Sequence, residues 1–83
     1  MKNIKIYLFV EKNNDECSKA EELLIKYKIP YEKIDIDDNG IRGCMLKDFG
    51  TMKVPLLVTP NAIIVGFEHI KKYIEFHKTE LTH

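Results

Sequence analysis

Apolar and polar positions along the chain follow two different periodicities, which together predict four strands and three helices. A nearly continuous apolar run covers residues 4–10 and is typical of a central strand buried on both faces. Residues 16–27 place apolar side chains at i, i+3, i+4 and i+7, which predicts an amphipathic helix that ends before Pro30. The residues of this apolar stripe are Ala20, Leu23, Leu24 and Tyr27.

The second half of the chain continues with a strand, a short helix, a hairpin and a final helix. Alternation predicts the strand, turn residues such as Gly50 mark the ends of elements, and helical spacing predicts the last helix. The predicted segments are residues 31–36, 41–49, 54–58, 63–65 and 67–77. Beyond His77 we expect a polar, frayed tail.

This order of elements, β-α-β-α-β-β-α, predicts an α/β fold. A strand-helix-strand unit of this length places its two strands in parallel, and the hairpin adds an antiparallel pair. The result is a four-stranded mixed sheet flanked by three helices that cover both faces. With 83 residues, the chain is predicted to be a single domain over residues 1–83.

Composition excludes several classes of function. Lys plus Arg total 13 and Asp plus Glu total 13, so no basic field favours nucleic acid. No apolar run has membrane-spanning length and no leader pattern is present, so we expect a cytoplasmic protein that binds no membrane. The two cysteines do not form a disulfide framework, and the late histidines lack metal-ligand spacing, so no metal site is predicted.

The main candidate for unusual chemistry is Cys17, which lies where the first helix is predicted to begin. Unpaired backbone N–H groups and the partial positive charge of a helix N-terminus favour thiolate over thiol. The alternative is a buried, inert thiol, which we favour because reactivity also needs exposure. Cys44, in the second helix, is expected to be a half-buried small apolar residue; the alternative is a thiol that bonds Cys17.

Several motifs together resemble the glutaredoxins, small members of the thioredoxin fold. The first strand followed by Cys17-Ser18-Lys19-Ala20 resembles the family's strand and active-site helix. Residues 29–37, with their early proline, resemble its second strand, and Val54-Pro55 resembles its Thr-Val-Pro. Gly66-Phe67-Glu68 resembles the Gly-Gly-Phe-Asp that precedes the last helix in some members. The resemblance therefore covers almost the whole chain and implies a thioredoxin-like (glutaredoxin) fold.

The resemblance also implies which residues carry the family's chemistry. Its members have Cys-x-x-Cys at the first helix, with the first cysteine as nucleophile and the second as resolving thiol. Here the motif is Asn14-Asp15-Glu16-Cys17, so Asn14 replaces the nucleophile and Cys17 is the only candidate thiol in the loop. An amide cannot attack a disulfide. Asp15 and Glu16 are also expected to raise the pKa of Cys17 and to repel anionic glutathione. Asn14 itself is expected to be a helix cap or turn residue.

A ligand-binding groove is implied beside the proline. The resemblance implies a cis bond before Pro55 and backbone hydrogen bonds to glutathione or an extended peptide. Lys53 and Val65 stand where the family has Thr and Gly. The predicted groove residues are Lys12, Lys53, Val54, Pro55, Gly66, Phe67 and Glu68. For the charged ones, the alternative is ordinary solvated surface.

Taken together, these residues predict a glutaredoxin-like redox protein of the thiol–disulfide oxidoreductase family, with little or no activity as a standard dithiol reductase. Whether it is an enzyme is left open. One alternative is a non-catalytic module that binds glutathione-like or extended peptide ligands, and another is a scaffold that uses an exposed sheet edge. No cofactor is predicted beyond glutathione as ligand or co-substrate. Glutathione or a protein disulfide is the expected partner, and a monomer the expected state.

Overall fold

A computed structural model describes residues 5–38 and 40–81 of the chain. Within them the strands and helices follow the predicted order. They are β1 (Tyr7–Val10), α1 (Asp15–Lys26), β2 (Glu32–Asp35), α2 (Ile41–Phe49), β3 (Leu56–Val58), β4 (Ile63–Val65) and α3 (Phe67–Leu81). β1, β2 and β3 are shorter than the segments predicted for them, whereas β4 has the predicted bounds. Ile4, placed in the first strand, lies outside the described residues.

The strands form one mixed sheet in the order β2-β1-β3-β4. β1 is parallel to β2 and antiparallel to β3, and β3 and β4 form an antiparallel hairpin. β1 is central, and its residues Leu8, Phe9 and Val10 are all buried. This arrangement confirms the predicted thioredoxin-like topology.

Side chains of β1 alternate between two apolar clusters, one on each face of the sheet. Leu8 and Val10 pack into a cluster that also contains residues of α1 and α3. Phe9 packs into a second cluster, with Met45 of α2 and Leu56 of β3. Two helices therefore cover one face and α2 covers the other, because both faces of the central strand are apolar.

The end of α1 differs in mechanism from the prediction. The helix ends by a Schellman motif, because Lys28 adopts a left-handed φ of 56° and the N–H of Ile29 donates to the carbonyl of Leu24 at 2.9 Å. Ile29 is then buried in the same cluster as Leu24. The residue before Pro30 thus follows the helix end and does not cause it.

The prediction that the chain frays beyond His77 is wrong, since α3 continues to Leu81. Two ring contacts support its last turns. Tyr73 and His77 have ring centroids 4.4 Å apart, and the Nζ of Lys78 lies 5.3 Å from the ring centroid of Tyr27 at the end of α1. A tail that is polar in sequence is therefore held by packing between α1 and α3. No helix among the described residues is long and apolar enough to span a membrane.

Candidate functional site

The sheet topology brings the predicted site residues to one end of the sheet. Phe9 near the end of β1, Leu56 at the start of β3 and Val65 at the end of β4 lie side by side in register. The loop after β1, the residues before β3 and the turn into α3 consequently meet there. The N-termini of α1 and α3 lie at this same end, because each helix starts shortly after its strand.

Asn14 is the N-cap of α1. Its backbone is extended, with φ −109° and ψ 114°, and its Oδ1 accepts a hydrogen bond from the Cys17 N–H at 3.1 Å. The side chain thereby satisfies one of the backbone donors that a helix start leaves unpaired. Asn14, at the family's nucleophile position, therefore caps the first helix, as the sequence predicted.

The thiol of Cys17 is buried, with 2% of the residue exposed. Burial raises the pKa of this thiol, and the charges of Glu11, Glu21 and Glu16 raise it further, against a lowering hydrogen bond from the Glu11 N–H at 3.5 Å. The buried thiol is the alternative that the sequence analysis favoured, and desolvation outweighs the effect of the helix N-terminus on the pKa. The acidic pair contributes less than expected: Glu16 is a minor cause and Asp15 is not one.

Cys44 is exposed, which contradicts its predicted role as a half-buried apolar residue of the second helix. In α2 the inward side chains follow the i, i+4, i+8 positions Ile41, Met45 and Phe49, so Cys44 points away from the sheet. Both cysteines are free thiols. Cys17 is buried under the helices of the other face, and nothing in this arrangement pairs the two.

The bond between Val54 and Pro55 is cis, as the resemblance implied. Pro55 is buried, and its carbonyl accepts a hydrogen bond from the Gly66 N–H at 2.9 Å. Gly66 has a φ of +91°, a conformation that residues with a Cβ rarely adopt, so the turn into α3 depends on glycine here. The two backbone segments expected to form the groove are therefore joined directly.

Val54 and Phe67 are two apolar residues of the predicted groove. Both are half-buried and pack against the cluster that contains Cys17. The Nζ of Lys19 lies 6.0 Å from the ring centroid of Phe67, so the first turns of α1 and α3 are in contact. Sequence reasoning included Phe67 and missed Lys19.

The three charged residues predicted to line the groove, Lys12, Lys53 and Glu68, are all exposed. None of the three forms a salt bridge with another residue that the structure describes. Such side chains are equally compatible with ordinary surface and with contacts to a charged ligand. In addition, no group of three potential metal-ligating side chains is present in residues 5–38 and 40–81.

An ion-pair cluster beside the site was not found from sequence. Arg42, at the start of α2, donates to Glu11 in the loop after β1 and to Asp37 after β2. Arg42 is the only arginine in the sequence, which was the one available signal. Its partners lie 31 and 5 residues away, so no local periodicity indicates the first contact.

The comparison with protein families decides the assignment. The glutaredoxin family model matches residues 6–64, which is most of the chain. The chain belongs to the glutaredoxin family. No significant match was found among curated protein sequences.

Solved structures confirm the glutaredoxin-type fold. A mutant of the thioredoxin-like protein BC3987 matches with a TM-score of 0.73 at 22% identity, over 94% of this chain and 99% of that chain. A buckwheat glutaredoxin–glutathione complex matches with a TM-score of 0.75 at 18% identity, over 93% of this chain and 74% of that chain. Reduced glutaredoxin C1 from Populus tremula x tremuloides matches with a TM-score of 0.74 at 14% identity, over 90% of this chain and 68% of that chain. At these identities the similarity establishes the fold.

Proposed function

We propose that this glutaredoxin-family protein binds glutathione or an extended peptide in the groove beside Pro55 and has little or no dithiol reductase activity. The second half of the proposal rests on the loop after β1. Its family nucleophile position holds a capping amide, Asn14, and its remaining thiol, Cys17, is buried with a raised pKa. A nucleophilic thiol must be both ionised and accessible, and Cys17 is neither at neutral pH.

The observation that carries the binding half is the backbone of Val54. No hydrogen bond joins its amide or its carbonyl to any other described residue, although Val54 lies only two residues before the first residue pair of β3. A half-buried residue whose backbone donor and acceptor are both unused is suited to pairing with an extended ligand. Glutathione is the first ligand to test, since one fold neighbour is a glutaredoxin in complex with it.

The exposed charges at the ends of this groove fit a ligand with charged termini. Lys53 precedes Val54, and Glu68 lies in the first turn of α3 beside Gly66. A cation and an anion that form no ion pair with the described residues are available for the carboxylate and the amino group of glutathione, which carries both. This favours a small zwitterionic peptide over an apolar ligand.

The binding test is a titration of the ¹⁵N-labelled protein with S-methylglutathione, which cannot form a disulfide. We expect chemical-shift changes concentrated at the amides of Val54, Gly66 and Phe67. Lys53→Glu should weaken binding by about threefold to tenfold through lost and reversed charge. Lys28→Glu, an exposed charge reversal beyond the far end of α1, is the matched control and should change affinity by less than about twofold.

Two outcomes would count against the proposal. The binding half fails if millimolar S-methylglutathione shifts no amide of the groove, or if Lys53→Glu and Lys28→Glu behave alike. The reductase half fails if the wild-type protein reduces a glutathione mixed disulfide at the rate of an ordinary glutaredoxin assayed beside it. The two halves are measured separately, so either can fail alone.

A further inference from the structure

The carboxylate of Glu11 is held from two sides. Arg42 donates from Nη2 to Oε2 of Glu11 at 2.8 Å. Asn14 donates from Nδ2 to Oε1 at 3.5 Å. The side chain of Glu11 thus spans the turn of residues 11–14 and connects it to the first turn of α2.

The same turn covers the thiol of Cys17. The N–H of Glu11 donates to Sγ at 3.5 Å, and the Cys17 N–H donates to Oδ1 of Asn14. Glu11, Asn14 and Cys17 therefore form a closed ring of contacts around the first turn of α1. A reagent approaching from this side meets the turn before it meets sulfur, in agreement with the 2% exposure of the residue.

Among the residues that the structure describes, Arg42 is the side chain whose hydrogen bond connects this turn to an element other than β1 and α1. The same Nη2 also donates to Asp37 at 2.7 Å. The side chains of the Glu11–Arg42 pair are 38% and 43% exposed, so salt reaches the pair readily. The link is direct and sensitive to ionic strength.

We propose that Arg42 is a positioning residue that acts through Glu11 to hold the turn of residues 11–14 closed over Cys17. The Glu11–Arg42 ion pair is called the latch below. While it is intact the turn covers the thiol of Cys17, and when it is broken the thiol becomes accessible. The inference goes beyond groove binding and does not depend on it, because it concerns access to the sulfur and involves neither Val54 nor Gly66.

The test measures the rate at which iodoacetamide modifies Cys17 in the native protein, resolved by peptide mass spectrometry with exposed Cys44 as internal reference. Arg42→Gln should raise the Cys17 rate about fivefold relative to Cys44, the effect of losing one partly exposed ion pair. Asp37→Asn, which removes the second pair and leaves the first, should leave the ratio within about twofold. Raising the salt concentration should accelerate Cys17 more in the wild type than in Arg42→Gln, because salt screens the neighbouring glutamates in both but breaks the Glu11–Arg42 pair only in the wild type.

Electrostatics alone cannot produce the expected acceleration. Removing the cation leaves the charge of Glu11 beside the thiol, and that charge raises the pKa of Cys17. Losing the cation therefore does not increase the thiolate fraction. Faster modification therefore reports access to the sulfur.

Loss of global stability could also make Cys17 react faster in Arg42→Gln. The control is the wild-type protein in urea, at the concentration that lowers its free energy of unfolding to that of Arg42→Gln. The latch is supported if the variant reacts faster than this matched wild type. It is overturned if the two react equally, or if Arg42→Gln leaves the rate and its salt dependence unchanged. Glu11→Gln breaks the same pair from the other side and replaces Arg42→Gln if that variant does not fold, with the same expected result.

Discussion

Asn14→Cys is expected to give this protein a disulfide reductase activity at least about 100-fold above that of the wild type. The new thiol would stand at the N-cap of α1, where the N–H of Cys17 now donates to the Asn14 amide. Helix N-terminal N–H groups stabilise a thiolate at this position. That thiolate would attack the glutathione sulfur of a mixed disulfide and release the substrate thiolate. A second glutathione thiolate would then attack the glutathione sulfur bonded to the protein, which regenerates the cysteine thiolate and releases glutathione disulfide.

The measurement is turnover of a glutathione mixed disulfide coupled to glutathione reductase. Asn14→Ser is the matched control, since serine caps a helix as well as asparagine does and brings no thiol, so it should stay inactive. If Asn14→Cys folds and is still inactive, the groove itself has lost the family's substrate geometry, and Lys53 and Val65 become the next positions to exchange.

Leu57→Ala is expected to lower the free energy of unfolding by about 2–5 kcal/mol. Leu57 lies in β3 opposite Leu8 of the central strand, and neither side chain is exposed. Truncation removes buried methyl groups and leaves a cavity between the sheet and the two helices of that face. A domain of this size has roughly 4–12 kcal/mol of stability in all, so the loss is a large share of it.

Urea unfolding followed by circular dichroism measures this effect. Ile63→Ala is the control, because Ile63 lies in the same sheet but is 51% exposed, and it should cost less than about 1 kcal/mol. Equal losses for the two variants would show that the cluster between the sheet, α1 and α3 is not the core of the fold.

Most of the fold could be predicted from the sequence because the apolar periodicities are clear. The stripe from Ala20 to Tyr27 allows one inward face, and the short α1 connection leaves parallel pairing of β1 with β2 as the simple solution. The end of α1 could not be predicted in detail, since a lysine in a left-handed conformation has no sequence signal comparable to glycine. The last turns of α3 were missed because Lys78 and Tyr27 meet only in three dimensions.

The site shows the same division between local and tertiary effects. The capping role of Asn14 is local and was predictable. The exposure of Cys44 was not, because it depends on which side of α2 faces the sheet. The burial of Cys17 was the favoured expectation, but the sequence could not show that burial, more than the acidic neighbours, raises the pKa of the thiol. Cys17 is buried in a cluster built from residues of β1, β3, α1 and α3, which are distant from one another along the chain.

The most direct test of the account is the pH dependence of iodoacetamide modification at Cys17 and Cys44 in the native wild type. Because the pKa of Cys17 is raised on folding, the folded state favours its protonated thiol. This contribution to stability is fully present below the ordinary cysteine pKa of about 8.5 and is lost as the pH rises through the raised value. The same shift keeps the thiolate fraction low at neutral pH.

We predict that Cys17 reacts at least about 100-fold more slowly than Cys44 near pH 7.5, and that the two rates converge in denaturant. That result would establish a buried, inert thiol and leave the groove as the functional part of the molecule. Rapid modification of Cys17 well below pH 8.5, at a rate equal to or above that of Cys44, would contradict the account and show an activated thiolate at the start of α1.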